Sequence, residues 1–579
     1  MRWASPLHVQ SLSQQTGFKK IPDYILNVIV RFYLLLICTI SLLLGESSHS
    51  EAKKIWVFFK DKQIQSQLDL QRIAESLDQK TIVRRKKVLG ENVVTEYDIP
   101  VSKGYLQNIK TTGAQIEKVS RWLNAVSILG TDAQIDTILK FPFVKKIKSV
   151  PSFRRQKVNP QPNQNIAGNR SIQTLDYGNA QAQMEQIGCD LAHDAGFTGE
   201  GVRILVMDTG FSLDHAVFDS LNLIDEWDFV NDDEITANET VHEDTIYQHN
   251  HGTMVLSAMA GYAPGYLIGP AFDSEFLLAK TEKVDEEIQI EEDNYVAGLE
   301  WGETNGADIV STSLGYLDWY TYEDMNGDSA VTTIAVDIAV ALGMVCVTAA
   351  GNEGNNTWNY IIAPADADSV ISVGAVSSNG TIASFSSHGP TYDGRIKPEV
   401  CARGVATACA SPAGKGYTAA SGTSLAAPLV GGSAALILSA HPTWNPMMVR
   451  EALIQTASQH SSPDNNYGYG IINVWDAINY SSFESVDAEI FPVAYSLSEG
   501  FPNPFNSGIS FSISLLTPGN LSVTIFDIEG KVVEVLFDGD LFKGDNSFTW
   551  APKSQPAGVY FVTVSDRINS TTRKITYLK

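Results

Sequence analysis

Cysteine is scarce in this chain, which has five cysteines among 579 residues. No two of them are spaced as a CxxC pair, and this argues against a zinc site built on paired thiolates. Cys346 lies inside the apolar run MVCV, so we predict that it is a small, buried hydrophobic side chain. The sequence leaves undecided whether Cys401 and Cys409 form a disulfide.

Membrane-spanning segments are also not expected, and the amino terminus holds one apolar stretch of 13 residues at 32–44. A helix needs about 20 residues to cross a bilayer core of ~30 Å, so this stretch is too short to span a membrane. Lys19, Lys20 and Arg31 precede it, and small polar residues follow it. This order is typical of a secretory signal peptide, which we predict over residues 1–50. We therefore expect the protein to leave the cytoplasm.

Basic residues are few in the larger part of the chain. Residues 51–157 carry 21 Lys and Arg against 11 Asp and Glu, whereas residues 158–579 carry 16 against 53. The larger part lacks the basic footprint that nucleic-acid binding requires, so we expect no nucleic-acid partner. A charge division of this kind predicts two parts with different roles.

The basic part reads as a small α+β domain over residues 51–157. Apolar runs predict strands at 55–59 and 144–150, and one apolar face predicts a short helix at 132–139. The segment 158–173 is rich in Pro, Asn and Gln, which is typical of an exposed linker.

The acidic part divides further. Residues 174–480 alternate apolar strands with helices, which predicts an α/β fold with a mostly parallel sheet and helices on both faces. A polar linker at 481–495 follows. In residues 496–579 serines alternate with apolar residues between Gly and Pro turns, which predicts a small all-β sandwich.

Three short motifs in residues 174–480 carry side chains that work together in nucleophilic catalysis. Asp208 ends an apolar strand, His251 opens a predicted helix, and Ser424 starts a long apolar helix. Alone, the aspartate is typical of a cap or a turn, the histidine of a structural side chain, and the serine of a helix N-cap. Together they supply a hydroxyl that attacks, an imidazole that takes its proton, and a carboxylate that orients the imidazole. Their order, Asp then His then Ser, is the order of subtilisin-type triads.

A fourth motif, AAGNEG at 349–354, directly follows a predicted strand. Its asparagine, Asn352, is flanked closely by glycines and would ordinarily form a turn. At the end of a sheet strand in an enzyme, its side-chain amide can instead donate to a developing oxyanion. The backbone N–H of Ser424, at a helix N-terminus, would be the second donor.

These four motifs, in this order, resemble the catalytic domain of the subtilisin family of serine proteases, over residues from about 172 to 480. The resemblance implies a serine endopeptidase in which Ser424 is the nucleophile, His251 the general base, Asp208 the orienting acid and Asn352 an oxyanion donor. It further implies that Ser313, Leu314 and Gly315 pair with the substrate backbone and line the specificity pocket. The partners would be polypeptide substrates, and the chemistry would require no cofactor.

The flanking units carry resemblances of their own. Residues 51–157 resemble the inhibitory propeptide of this family, most clearly at LNAVS, 123–127. Such a domain assists folding and then inhibits, and the resemblance implies a contact made mainly of apolar packing and strand pairing. The motifs GFPNPFN at 500–506 and PAGVY at 556–560 resemble the C-terminal sorting domain of type IX secretion cargo. That resemblance implies a Gram-negative source, delivery by the secretion machinery, and a secreted or cell-surface enzyme.

Metal sites are a separate question, because family members often bind structural calcium. The segment 324–328 places Asp, Asn and Asp at alternate positions, and 228–233 is a second acidic loop. Both offer oxygen ligands of the kind that calcium prefers. A solvated turn is the more common explanation for either segment, so we assign no metal ligand.

Two other functions compete with the peptidase. A catalytically inactive relative that serves as a binding or scaffold protein predicts the loss of a triad residue, and none is lost. An esterase of the α/β-hydrolase type needs Gly-x-Ser-x-Gly with the serine before its partners, whereas Ser424 comes last. The sequence therefore favours the secreted serine endopeptidase.

Overall fold

The computed structural model describes residues 52–63, 67–149, 175–285, 290–481, 495–498, 500–515, 519–528, 531–541, 544–553, 555–565 and 570–579. The predicted signal peptide at 1–50, the linker at 158–173 and nearly all of the linker at 481–495 lie outside these residues.

The N-terminal unit is a four-stranded antiparallel sheet covered by helices. Its strands lie in the order Gln115–Ser120, Ala125–Gly130, Lys53–Phe59 and Val144–Ser149. The helices are Gln67–Ser76, Gln79–Leu89, Lys103–Thr111 and Asp132–Ile138, with a 3₁₀ turn at Glu96–Asp98. Val57, Val126 and Ile138 are fully buried in its core. Helix Asp132–Ile138 begins with a capping box between Thr131 and Gln134, which satisfies backbone N–H groups of its first turn.

The central unit is built on a seven-stranded sheet in which every neighbouring pair is parallel. The strand order is Val400–Arg403, Ile371–Val376, Val345–Ala349, Ile309–Thr312, Arg203–Asp208, Glu275–Lys280 and Asn222–Asp228. Its helices are Gln181–Gln186, Cys189–Asp194, Val241–Ile246, Asn250–Ala260, Ile290–Thr304, Val331–Ala341, Thr423–Ala440, Pro446–Gln455 and Val474–Ile478. The predicted parallel sheet is confirmed.

Strand Arg203–Asp208 shows why helices cover both faces. Its side chains alternate between the two faces of the sheet because the repeat of a strand is two residues. Ile204 and Val206 pack in one core, with helices Asn250–Ala260 and Thr423–Ala440. Leu205 and Met207 pack in the other core, with helices Ile290–Thr304 and Val331–Ala341. Helix Thr423–Ala440 is long and apolar enough to cross a bilayer by composition, yet here it is a buried core helix.

Small elements complete the central unit. Two short antiparallel pairs flank the sheet, and two 3₁₀ turns lie in its loops; they are Tyr262–Ala263 with Leu267–Ile268, Thr407–Ala410 with Tyr417–Ala420, Ala216–Phe218 and Tyr322–Asp324. Cys189, Cys346, Cys401 and Cys409 are all buried and free, which answers the open question of a disulfide between Cys401 and Cys409.

The C-terminal unit consists of two antiparallel sheets, as the alternating serines predict. One sheet has the order Tyr495–Leu497, Ile509–Leu515 and Gly544–Trp550. The other has the order Val532–Leu541, Gly519–Asp527, Gly558–Ser565 and Ser570–Tyr577. Ile509, Phe511, Ile513 and Leu515 point into the core between the sheets, while the serines between them face outward.

The N-terminal unit rests on two helices of the central unit. Trp56, Phe58 and Trp122 belong to the same buried cluster as residues of Ile290–Thr304 and Val331–Ala341. The described strands of the two units belong to separate sheets. In the described residues the contact is therefore a sheet laid on two helices, and the strand pairing implied above is not part of it.

Candidate active site

Three adjacent strands of the central sheet end beside one another. Asp208 is the last residue of Arg203–Asp208, Ser313 follows Ile309–Thr312, and Asn352 lies shortly after Val345–Ala349. Because all three strands are parallel, their carboxyl ends lie at one edge of the sheet, where α/β folds gather their chemistry. The fold therefore brings together side chains that are far apart in the sequence.

Asp208 and His251 are in direct contact. The Nδ1 atom of His251 lies 2.7 Å from Oδ1 of Asp208, and the Asp208 side chain is fully buried whereas 25% of the His251 side chain is exposed. The backbone N–H of Thr209 also donates to Oδ1 of Asp208, at 2.7 Å. A carboxylate held in this way fixes the orientation of the imidazole and leaves its other nitrogen available for proton transfer.

Gly252 lets the helix that carries His251 approach this strand. A Cβ atom at Gly252 would lie 2.2 Å from the carbonyl oxygen of Gly210 and 3.0 Å from Cβ of Asp208. No real side chain tolerates such distances, so a larger residue would push His251 away from Asp208. The sequence analysis did not single out Gly252, although it directly follows His251 in the motif.

Ser424 occupies the first turn of helix Thr423–Ala440 and is 7% exposed. The helix of His251 lies alongside, since Met254 packs in the same small cluster as Leu425. A Cβ atom at Gly422 would lie 2.8 Å from Oγ of Ser424 and 3.7 Å from Nδ2 of Asn352. The hydroxyl and the amide therefore border the same small space above Gly422.

Thr423 orients the amide of Asn352. Its backbone N–H donates to Oδ1 of Asn352 at 2.9 Å, and its Oγ1 donates to the same oxygen at 3.1 Å. Both bonds hold the oxygen toward the helix and turn Nδ2 toward the space beside Ser424. Thr423 is a positioning residue that the sequence analysis missed, and its place next to the serine in the motif was the available signal.

The segment 313–315 lies against the serine. The Ser313 hydroxyl donates to the backbone oxygen of Ser424 at 2.8 Å, which ties the strand end to the helix. A Cβ atom at Gly315 would lie 2.5 Å from Cδ1 of Ile362, so Ile362 fills the space beside this glycine. Leu314 is 8% exposed and packs in the cluster that the N-terminal unit also covers.

In both acidic loops that could offer calcium ligands, some of the oxygens are already engaged by other groups of the protein. Within the described residues, one group of three carboxylates lies within 4.8 Å: Asp228, Asp233 and Glu239. Nζ of Lys280 already lies 2.8 Å from Oδ2 of Asp228, so a buried ammonium compensates the most buried of these charges. Calcium takes six to eight oxygens, so an ion here would need further oxygen ligands beside these three carboxylates.

The second acidic loop uses its oxygens internally. Asp324 accepts hydrogen bonds from the backbone N–H and the hydroxyl of Thr321, at 2.9 and 2.8 Å. Oδ1 of Asn326 accepts from the backbone N–H of Asp328, and Asp328 forms an ion pair with Arg573 of the C-terminal unit at 3.2 Å. Structural calcium stays a prediction without assigned ligands.

Models of known families match all three units of the chain. The family model "Subtilase family" matches residues 199–470, and "Peptidase S8 propeptide domain, Bacteroidota" matches residues 54–165. A third model, "Secretion system C-terminal sorting domain", matches residues 499–577.

Curated relatives extend the match. Subtilisin E of Bacillus subtilis strain 168 is 32% identical over 370 residues, which is 63% of this chain and 84% of that protein. A subtilisin of Bacillus pumilus is 35% identical over 306 residues, which is 52% of this chain and 98% of that protein. The chain belongs to the subtilase family, and it is a serine endopeptidase. The propeptide and sorting models together indicate a secreted or cell-surface protein of the Bacteroidota, a Gram-negative group.

Proposed function

We propose that this enzyme cleaves polypeptides with Ser424 as nucleophile, His251 as general base, Asp208 as orienting acid and Asn352 as oxyanion donor. The contact of 2.7 Å between His251 and Asp208 carries the proposal, because it is the arrangement that a histidine base requires. The shared space beside Oγ of Ser424 and Nδ2 of Asn352 supports it.

The proposed reaction has two halves. In the first, Oγ of Ser424 bonds to the scissile carbonyl carbon while His251 takes the hydroxyl proton, and the carbonyl oxygen becomes an oxyanion. Nδ2 of Asn352 and the backbone N–H of Ser424 donate to that oxygen. The C–N bond then breaks, and the proton passes from His251 to the leaving amine. In the second half, water repeats these steps on the acyl-enzyme and frees the serine.

The flanking units indicate how the enzyme matures and is delivered. We propose that residues 51–157 are an inhibitory propeptide, that self-cleavage falls in the segment 158–173, and that residues 174–480 form the mature catalytic domain. Residues 496–579 would then be a delivery signal for the secretion machinery, joined by the linker at 481–495. The proposed chemistry requires no cofactor, since side chains supply the nucleophile and the base, and a side-chain amide and a backbone N–H supply the oxyanion donors.

Replacement of the nucleophile tests the function. Ser424→Ala should abolish peptide hydrolysis and leave the N-terminal unit covalently attached; the loss known for the serine of subtilisin, a relative of this chain, is ~10⁶-fold in kcat. Ser439→Ala, on the same helix with its hydroxyl bonded to Leu436 O, is the matched control and should keep full activity. The measurements are hydrolysis of a casein-like protein and of a short-chain ester, together with the mass of the purified chain.

Three results would contradict the proposal. A pure Ser424→Ala chain that still cleaved itself would exclude this serine as nucleophile. A wild-type enzyme that hydrolysed the ester but no protein would support an esterase. A correctly folded wild-type chain with neither activity would support the inactive binding or scaffold protein.

A further inference from the structure

Two adjacent arginines of the N-terminal unit are buried beneath the central unit. Arg84 and Arg85 lie on helix Gln79–Leu89 and are 1% and 0% exposed, which places them among the largest fully buried side chains described. An arginine is almost never fully buried unless its charge is paired. Their partners lie on the two helices that the N-terminal unit covers.

Arg84 caps the ends of both helices. Its Nε donates to the backbone oxygen of Leu342 at 3.2 Å, directly after Val331–Ala341. Its other nitrogens donate to the backbone oxygens of Glu303 and Ala307, at and after the end of Ile290–Thr304, and to the Glu303 carboxylate. Carbonyls at helix C-termini lack intrahelical donors and carry a partial negative charge, so one guanidinium stabilises two helix ends.

Arg85 lies between two carboxylates. It binds Glu303 through Nε and one terminal nitrogen, both at 2.8 Å, and it binds Asp98 of its own unit at 2.7 and 2.8 Å. A fifth bond, at 2.8 Å, goes to the backbone oxygen of Val93. All five guanidinium N–H groups are therefore used. Although burial opposes ionisation, the bonds to Arg85 hold the pKa of Asp98 below its usual value.

A buried ion pair of this kind serves recognition better than stability. An apolar pair of the same volume often stabilises a fold as well, whereas removal of one charged partner leaves the other buried without compensation and is strongly unfavourable. A catalytic domain with no acid at position 303 would leave the Arg84 charge bonded to backbone oxygens without a carboxylate, and would leave Arg85 with Asp98 of its own unit as its one bonded carboxylate. The contact therefore discriminates between catalytic domains, and it lies at the far ends of helices rather than in the substrate cleft.

We propose that Arg84 and Arg85 form a latch, a second recognition site through which the N-terminal unit selects and holds the catalytic domain that carries Glu303. The latch rests on the proposed role of residues 51–157 as an inhibitory propeptide, and it adds a contact outside the active site that sets how long the cleaved unit stays bound. Its partner is the enzyme's own N-terminal unit, matched by charge and by hydrogen-bond geometry.

The test uses full-length chains that carry Arg85→Met, Glu303→Gln or both. Lys86→Met is the matched control, because Lys86 follows Arg85 on the same helix, is 45% exposed and pairs with Glu91 of its own unit. After self-cleavage, gel filtration follows how fast the N-terminal fragment leaves, and a peptide substrate follows the rise of activity. We expect Arg85→Met and Glu303→Gln each to speed release by roughly 100-fold or more. Lys86→Met should change the release rate by less than about two-fold.

Non-additivity separates the latch from a general loss of packing. Because Arg85 and Glu303 act as a pair, the double variant should release its fragment no faster than the more affected single variant. Effects that multiply in the double variant, or equal release from Arg85→Met and Lys86→Met, would overturn the proposal. Should Arg85→Met fail to fold, Arg85→Lys keeps the charge but loses the forked geometry and should give an intermediate rate.

A second measurement does not depend on catalysis. In a Ser424→Ala background no cleavage is expected, and the thermal unfolding midpoint of the intact chain reports the same contact. We expect a marked fall for Arg85→Met and for Glu303→Gln, with no fall for Lys86→Met. If the wild-type chain never cleaves itself but the midpoints follow this pattern, the proposal that residues 51–157 are a self-cleaved propeptide is refuted. The proposal of the latch would still stand. Normal self-cleavage with equal midpoints would refute the latch alone.

Discussion

The proposed active site and the proposed latch of this enzyme use ionisable side chains in opposite ways. At the proposed active site, one carboxylate and one imidazole from the same domain meet, and a quarter of the His251 side chain stays exposed. At the latch, arginines from one unit meet Glu303 of another, and the Glu303 side chain is fully buried. A catalytic group must remain open to substrate, whereas a holding contact gains from excluding water until its partner leaves.

Within this comparison, the largest effect is expected at Asp208. Asp208→Asn keeps the shape of the side chain but removes its charge, and the amide can stabilise the wrong tautomer of His251. The corresponding change in trypsin lowers kcat by ~10⁴-fold, and we expect a similar loss here. Hydrolysis of a peptide substrate measures it. A loss below about ten-fold would mean that His251 is oriented by something other than Asp208.

A smaller effect is expected at the oxyanion donor. Asn352→Ala removes Nδ2 from the space beside Ser424 and should lower kcat by about 10²–10³-fold, the range known for the equivalent asparagine of subtilisin, a relative. KM should change little, because the donor acts on the transition state. Thr423→Val loses only the hydroxyl that orients Asn352, so its kcat should lie between that of Asn352→Ala and that of the wild type. Equal activity in all three would show that the amide faces away from the reaction.

Salt should weaken the long-range attraction between the N-terminal unit and the catalytic domain. Residues 51–157 carry a net charge of +10, and residues 172–480 carry 8 Lys and Arg against 42 Asp and Glu, or −34. The Debye length shortens from ~10 Å at 0.1 M to ~3 Å at 1 M salt, so long-range attraction should largely vanish over that range. We expect the rate at which released N-terminal fragment re-inhibits mature enzyme to drop several-fold.

The dissociation rate should respond much less to salt, because Arg84 and Arg85 are buried away from counterions. Stopped-flow inhibition measures both rates in one series. An association rate that stayed flat across the salt range would mean that the charge division does not steer the encounter. A dissociation rate that rose as steeply as the association rate fell would mean that the latch is open to solvent.

The smallest effect is expected from the C-terminal unit. It has its own core between two sheets, and Arg573 forms an ion pair with the exposed side chain of Asp328. An exposed pair of this kind contributes little to stability. Truncation after residue 487 should therefore change specific activity by less than about two-fold and abolish delivery of the enzyme. A well-folded truncated enzyme without activity would show that this unit belongs to the active domain.

Much of the fold was predictable because its signals are local. The strand predicted at 55–59 lies within Lys53–Phe59, the strand predicted at 144–150 is Val144–Ser149, and the helix predicted at 132–139 is Asp132–Ile138. Strand Asn222–Asp228 escaped prediction because it lies at the sheet edge, where charged Asp225 and Glu226 replace a continuous apolar run. Helix Gln79–Leu89 escaped because its charged sequence, QKTIVRRKKVL, shows no apolar stripe.

The expected contact between propeptide and enzyme was right about apolar packing, and it left out the buried charges. Trp56 and Trp122 do pack on the covered helices, as an apolar contact requires. The buried charges of Arg84, Arg85 and Glu303 were not predicted, because a run of basic residues in a sequence is typical of a solvent-exposed surface. Burial of a charge depends on acceptors that other parts of the chain supply.

The sequence by itself determined the family and the set of catalytic candidates, because the chemistry restricts residue types and each motif is a short local segment. Asp208, His251, Asn352 and Ser424 could be named before any contact was known. Only the tertiary structure decided the role of the two arginines. Arg85 and Glu303 are 218 residues apart, and nothing in either segment specifies the other. Their pairing exists because one unit lays a helix across the ends of two others, where backbone oxygens at the helix ends and the Glu303 carboxylate lie together.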